Sequence, residues 1–151
     1  MTARTIDDHV DVAASPDVVF AALLRPSSIQ AWWSASRVIV VPRLGGAWAV
    51  SWGDDADRPD YTFAGILRGF EPERRLFITD ASHHSKDEPP DAEPLEADIT
   101  TEFLLEEQGS GTRLRLVQAG FPPEGEADDR FAACVEGWKN TLAAIREHVE
   151  A

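Results

Sequence analysis

Histidine and cysteine, the side chains best suited to acid, base or nucleophilic work near neutral pH, number only four and one in this 151-residue sequence, and the 27 carboxylates stand in no recognisable catalytic pattern. His83 and His84 are adjacent within SHHSKDEPPDAEPLE, a charged stretch with three prolines that reads as a loop rather than a tight hairpin. Neighbouring side chains on extended chain point in opposite directions, and no cysteine or further histidine at ligand spacing completes a tetrahedral site, so no metal is expected. The pair reads as solvated. His9 and His148 sit near the chain termini in polar surroundings and read as surface residues. Signatures of serine hydrolases, zinc proteases, P-loop proteins and dinucleotide-binding proteins are absent, and no cofactor is implied. What remains for polar chemistry is Tyr61, Asp80 or Gln118, any of which would supply one contact to a substrate shaped by a surrounding cavity.

Aromatic groups carry more of the chemistry. Trp33, Trp52 and Trp138 offer large flat area with one polar N–H each, which suits stacking against a planar molecule. Trp32 and Trp48 read instead as filling for the base of a sheet. Tyr61, Phe63 and Phe103 belong to segments that alternate like strands, and their parity allows them to face the same side as Trp52. Phe131, Cys134, Val135 and Trp138 lie in the C-terminal stretch FAACVEGWKNTLAAIREHV, where a Gly-Trp pair interrupts a helical pattern.

These residues need elements to hold them. Residues 5–13 alternate as a half-buried strand through Ile6, Val10 and Val12. Ser15-Pro16 then marks a helix start with Ser as the expected cap, and a second short helix runs from Pro26 to Trp32-Trp33. Beyond it the period falls to two. RVIVV and AWAVSW flank a Gly-Gly turn, YTFAGILRGF and LFITDAS follow, and ADITTEFLLE and RLRLVQ flank a Gly-Ser-Gly turn. Gly65 and Gly69 inside the third of these strands suggest bending or close backbone approach. Short turns make neighbouring strands antiparallel. In the last element Phe131, Val135, Trp138, Leu142, Ile145 and Val149 are spaced 4, 3, 4, 3, 4, one apolar stripe that must lie against the sheet. Leu142, Ile145 and Val149 read as core. Phe131, Cys134, Val135 and Trp138 admit both a core and a pocket-lining reading, because Gly137 and the small residues near it leave space.

Composition fixes the setting. The length suits a single domain over residues 1–151, and no linker or repeat divides it. A formal charge of −13 repels phosphates and anionic lipid, so neither nucleic acid nor a membrane surface is an expected partner. No run of about 20 apolar residues is present, and the acidic N-terminus has no signal-peptide pattern. One cysteine can form no internal disulfide, which fits a reducing, cytoplasmic setting. The proline-rich stretch around His83-His84 is expected to be poorly ordered.

Five pieces taken together carry a resemblance: AASPDVVFAALLRPSSIQAWW, RLGG with Trp48 after it, Phe63 with Gly65 and Ile66, GSGTRLRL, and EGWKNTLAAI. In that order they resemble the chaperone-ATPase-activator-like family (activators of the heat-shock protein 90 ATPase) of the START/SRPBCC superfamily, over nearly the whole chain. The resemblance implies an α+β helix-grip fold, in which a seven-stranded curved antiparallel sheet surrounds a long C-terminal helix, with two short helices between strands 1 and 2. It also implies a hydrophobic cavity. Relatives with that fold include lipid and hormone binders, cyclases, co-chaperone domains and resistance proteins, so three functions stay open. The first is a binder of a small hydrophobic or aromatic molecule, acting as carrier, sequestering or resistance-type protein; its expected lining is Trp33, Trp52, Tyr61, Phe63, Phe103, Phe131, Cys134, Val135 and Trp138. The second is a cyclase- or hydrolase-type enzyme in the same cavity, and the third a chaperone-associated interaction module. Monomer and homodimer are both compatible with the sequence.

Overall fold

A computed structural model of the chain describes residues 3–87 and 99–151. Strand β1 (Arg4–Val12) buries Ile6 and Val12 and turns Asp7, His9 and Asp11 outward, as its alternation requires. Helices α1 (Pro16–Ala22) and α2 (Pro26–Trp33) each begin on a proline, whose fixed φ and missing N–H suit a first turn. Ser15 does not cap α1 with its side chain as expected. Its hydroxyl donates to the Asp17 carboxylate instead, while its carbonyl accepts from the Val18 and Val19 amides. Ser34, in the left-handed region at φ 53°, stops α2 just after the Trp32-Trp33 pair.

The other strands are β2 (Arg37–Val40), β3 (Ala47–Trp52), β4 (Tyr61–Glu71), β5 (Arg75–Ser85), β6 (Thr100–Gln108) and β7 (Gly111–Phe121). They form one seven-stranded sheet in the order β1-β7-β6-β5-β4-β3-β2, antiparallel at every pairing. The long helix α3 (Asp128–Glu150) packs against β1, β7, α1 and α2, so the sheet grips it. This is the helix-grip architecture anticipated above.

The sheet's curvature has a local cause. The β4–β5 register slips once between Ala64 and Ile66 and again between Leu67 and Gly69, at the two glycines. A Cβ on Gly65 would stand 2.5 Å from Ile78 Cγ2, and one on Gly69 would stand 2.8 Å from Phe77 Cβ. Both sites are bulges that a side chain would prop open. At the first, Asp80 adopts φ 54°, and β5 changes direction there. Only Arg75–Ile78 of β5 pair with β6; past Asp80, β5 continues beside β4 alone among the described residues.

Two expectations need correction. His83 and His84 are not in a loop: β5 runs on to Ser85, because the chain keeps pairing with β4 from Phe63 back to Tyr61. The expected disorder of the proline-rich stretch falls mostly on residues 88–96, which lie outside the described residues. The stripe on α3 is also interrupted. Leu142 and Ile145 are core, but Val135 is 39% exposed, turned off the sheet on the far side of Trp138.

Candidate functional site

A cavity of about 270 Å³ opens beside α3. At about 100° per residue, Cys134, Gly137 and Thr141 fall to one side of Trp138 and Val135 to the other, so the cavity faces the small-residue flank of the helix. The opposite wall is aromatic. Trp33 from the end of α2, Trp52 from β3, and Tyr61 and Phe63 from β4 line it.

Hydrogen bonds hold the tryptophans in place. The Trp52 indole N–H donates to the Trp33 carbonyl oxygen at 2.9 Å, which ties the end of β3 to the end of α2. Below them the Trp48 and Trp32 indoles donate to the Leu23 and Ala22 carbonyls at 3.0 and 2.9 Å; both rings are buried, as base filling requires. The rings then touch in a closed circuit: Trp33 to Trp52 at 5.1 Å, Trp52 to Tyr61 at 5.8 Å, Tyr61 to His83 at 5.5 Å, His83 to Phe63 at 4.7 Å, Phe63 to Trp48 at 5.7 Å, and Trp48 to Trp33 at 5.8 Å. Tilted and edge-on contacts at these distances suit aromatic quadrupoles and make a stiff wall.

The polar groups gather at one corner. Phe63 pairs directly with His83 across β4 and β5, which sets Tyr61 diagonal to His83 on the same face. The Tyr61 hydroxyl and His83 Nδ1 are in hydrogen-bond contact. Burial strips water from the His83 ring and Arg130 on α3 adds its positive charge, which together push the imidazole pKa down to about 4. At neutral pH the ring is uncharged. The Cys134 thiol is pushed up by burial, against a smaller opposing pull from Arg130, so it stays protonated and is a poor nucleophile. Gln118 on β7 is buried with both ends of its amide engaged: it accepts from the Trp138 indole N–H at 2.8 Å and donates to Thr101 Oγ1 at 3.0 Å. It positions Trp138.

Of the residues anticipated from sequence, Trp33, Trp52, Tyr61, Phe63, Cys134 and Trp138 line this one cavity. Three do not. Phe103 is fully buried behind Trp138, 5.9 Å ring to ring. Phe131 packs edge-on against Phe121 at 5.1 Å, with the Arg4 guanidinium 4.3 Å above its ring. Val135 faces outward. Asp80 is exposed, and hydrogen bonds from Thr79 and Arg68 hold its carboxyl below the usual range. Sequence reasoning missed His83 and Thr141. Inward residues of β5 run Leu76, Ile78, then Ala81 and His83, so the bulge at Asp80 flips the parity, and simple alternation would have sent His84 inward instead.

Other depressions lack this convergence. A groove of about 640 Å³ beside Leu104 and Leu105 is ringed by Glu73, Arg74, Glu106 and Glu107, and one of about 290 Å³ between the short helices and the end of α3 is lined by Asp17, Arg25 and His148. Among the described residues no cluster of three or more His, Cys, Asp or Glu stands ready for a metal ion, and no helix is long and apolar enough to cross a membrane.

A family model described as activator of Hsp90 ATPase homolog 1-like protein matches residues 13–150. Among solved structures, the chain is similar to an uncharacterized protein from Rhizobium leguminosarum (TM-score 0.76, 16% identity, covering 98% of this chain and 95% of that one). It is also similar to the Aha1 dimer of Colwellia psychrerythraea (0.72, 15%, 97% and 96%) and to CalU16 from Micromonospora echinospora (0.68, 25%, 97% and 76%). At such identities these likenesses speak to the fold. No curated protein matches the chain.

Proposed function

The chain belongs to the family of activator of Hsp90 ATPase homolog 1-like proteins, within the START/SRPBCC superfamily, and on that premise we propose that it binds a small, flat, hydrophobic molecule in the cavity beside α3. One residue carries this reading. Gly137 sits in mid-helix, where glycine costs about 1 kcal/mol relative to alanine. The usual reasons for a glycine are missing there, since the backbone is helical and a Cβ would meet nothing within 4 Å. Gly137 is exposed and belongs to the cavity's lining, which the rings of Trp33, Trp52, Tyr61, Phe63 and Trp138 complete. A planar guest held there would gain about 25 cal/mol per Å² of apolar surface removed from water, less the entropy lost on binding. The protein is thereby read as a carrier or sequestering protein, with those five rings and Cys134 as its contacts.

A second reading has one observation behind it. Tyr61 and His83 converge in the cavity as an acid–base couple would. An imidazole held near a pKa of 4 is a weak base, and the protonated Cys134 offers no nucleophile, so binding without turnover takes precedence. Among the described residues, the exposed large apolar residues Val18, Ile39, Leu44 and Val135 are spread over α1, the β2–β3 hairpin and α3 and form no single patch. Titration of tryptophan emission against a panel of two- and three-ring aromatics tests the proposal, since three of the five tryptophans line the cavity. Saturable one-to-one quenching by panel members, recovered chemically unchanged, is the expected result. Emission unmoved by every member would overturn it.

A further inference from the structure

We propose that the Gln118 amide is the polar anchor of this cavity, and that it selects flat, uncharged aromatic ligands whose polar edge is a carbonyl over those whose polar edge is an N–H. The inference rests on the ligand-binding reading above and adds the chemistry of the ligand's polar end. Gln118, on β7, is only 6% exposed, and it belongs to the cavity lining. A polar side chain buried so far needs partners for its donors and acceptors.

The orientation of the amide follows from its neighbours. An indole N–H can only donate, so the atom that meets Trp138 Nε1 at 2.8 Å must be the Gln118 carbonyl oxygen. The amide nitrogen is thereby turned to Thr101, which stands directly opposite Gln118 across the β6–β7 pairing, and it donates to Thr101 Oγ1 at 3.0 Å. A primary amide carries two N–H donors, and that bond uses one. Among the described residues nothing accepts from the second. The bonds to Trp138 and Thr101 hold the amide from both ends, so this second donor keeps a fixed place at the cavity wall. A buried N–H without an acceptor is costly, and a ligand carbonyl that reaches it removes the cost. A ligand N–H would set donor against donor. The rest of the lining suits an uncharged guest, because among the described residues it holds no Asp, Glu, Lys or Arg, and His83 is neutral at pH 7.

Three flat two-ring probes separate these cases: 1-indanone has one acceptor and no donor, indole has one N–H donor, and indane has neither. Each is titrated calorimetrically at pH 7 into wild type and Gln118→Met. Both 1-indanone and indole surrender a hydrogen bond to water on entering the cavity, so comparing them offsets much of the desolvation cost. Wild type is expected to bind 1-indanone about ten-fold more tightly than indole, the worth of one hydrogen bond in a buried site. Gln118→Met keeps the length of the side chain and removes its donors, so that advantage should vanish. A Gln118 that merely props Trp138 would instead lower all three affinities together and leave their ranking unchanged, which would overturn the anchor. The wild-type ranking is informative even where the variant folds poorly, and melting curves report whether it does. Equal wild-type affinity for 1-indanone and indole, or tighter binding of indole, would overturn the anchor and leave the cavity reading standing. Wild type that binds none of the three overturns the anchor together with the cavity reading beneath it.

Discussion

At the scale of single residues, His83 has the strongest consequence for behaviour in solution. The folded protein keeps its ring neutral down to about pH 4, whereas the unfolded chain takes up a proton near the ordinary 6.5. Between those values the unfolded state holds more protons, so stability is complete above the upper value and falls as the pH drops toward the lower one. The loss should be on the order of 2 kcal/mol, allowing for water at the open side of the ring. Urea melts between pH 7 and 4.5 should show this decline in wild type and a flatter profile in His83→Gln. Asp7, Asp11 and Asp128 act in a separate window. Hydrogen bonds from Arg115, Arg113 and the Gly125 amide hold their carboxyls low, so what they contribute is present above the usual carboxylate range and is lost below it. Phe131 makes the complementary case. Because it packs on Phe121 and Arg4 outside the cavity, Phe131→Ala should cost about 2 kcal/mol, less than the roughly 3–5 of a fully buried aromatic, and leave ligand affinity unchanged. Melts and titrations of that variant check both halves. Residue identities alone pointed to most of the aromatic wall, but His83 was hidden, since a one-residue bulge at Asp80 decides which of two adjacent histidines faces in.

At the scale of elements, most of the fold was legible because each strand of the sheet has one wet face. Ile99, Thr101, Phe103 and Leu105 are all buried, and Leu114 and Leu116 lie inside while Arg113 and Arg115 lie outside, as alternation demands. The long helix was less legible. Its apolar stripe marked the core seam at Leu142 and Ile145, but the cavity lies on the adjoining flank of small residues, which carries no hydrophobic signal. The RLGG turn also has a clear mechanical role. The Gly45 amide donates to the Leu67 carbonyl at 2.6 Å and the Leu67 amide donates to the Gly46 carbonyl at 2.8 Å, which clamps the β2–β3 hairpin to β4 just beyond its bulge. A Cβ on Gly46 would sit 2.0 Å from the Val41 carbonyl oxygen, so backbone must move to admit it. Gly46→Ala should therefore destabilise by about 1–3 kcal/mol, with the hairpin amides the first to lose protection in hydrogen exchange.

At the scale of the whole molecule, a curved sheet grips one helix, close-packed along the C-terminal half, with a cavity beside its N-terminal half. The C-terminal half is close-packed around Leu142 and Ile145. The N-terminal half trades helix stability for space at Gly137, and the substitution that reverses this trade tests the central claim most directly. Gly137→Leu places a good helix former at an exposed position where no described atom stands within 4 Å, and its side chain obstructs the cavity that Gly137 lines. Paired urea melts and aromatic titrations of wild type and this variant are the decisive measurement. The account predicts that unfolding free energy rises by about 1 kcal/mol while binding of every aromatic held by wild type is lost. Wild-type affinity retained in Gly137→Leu would contradict it and place the ligand elsewhere.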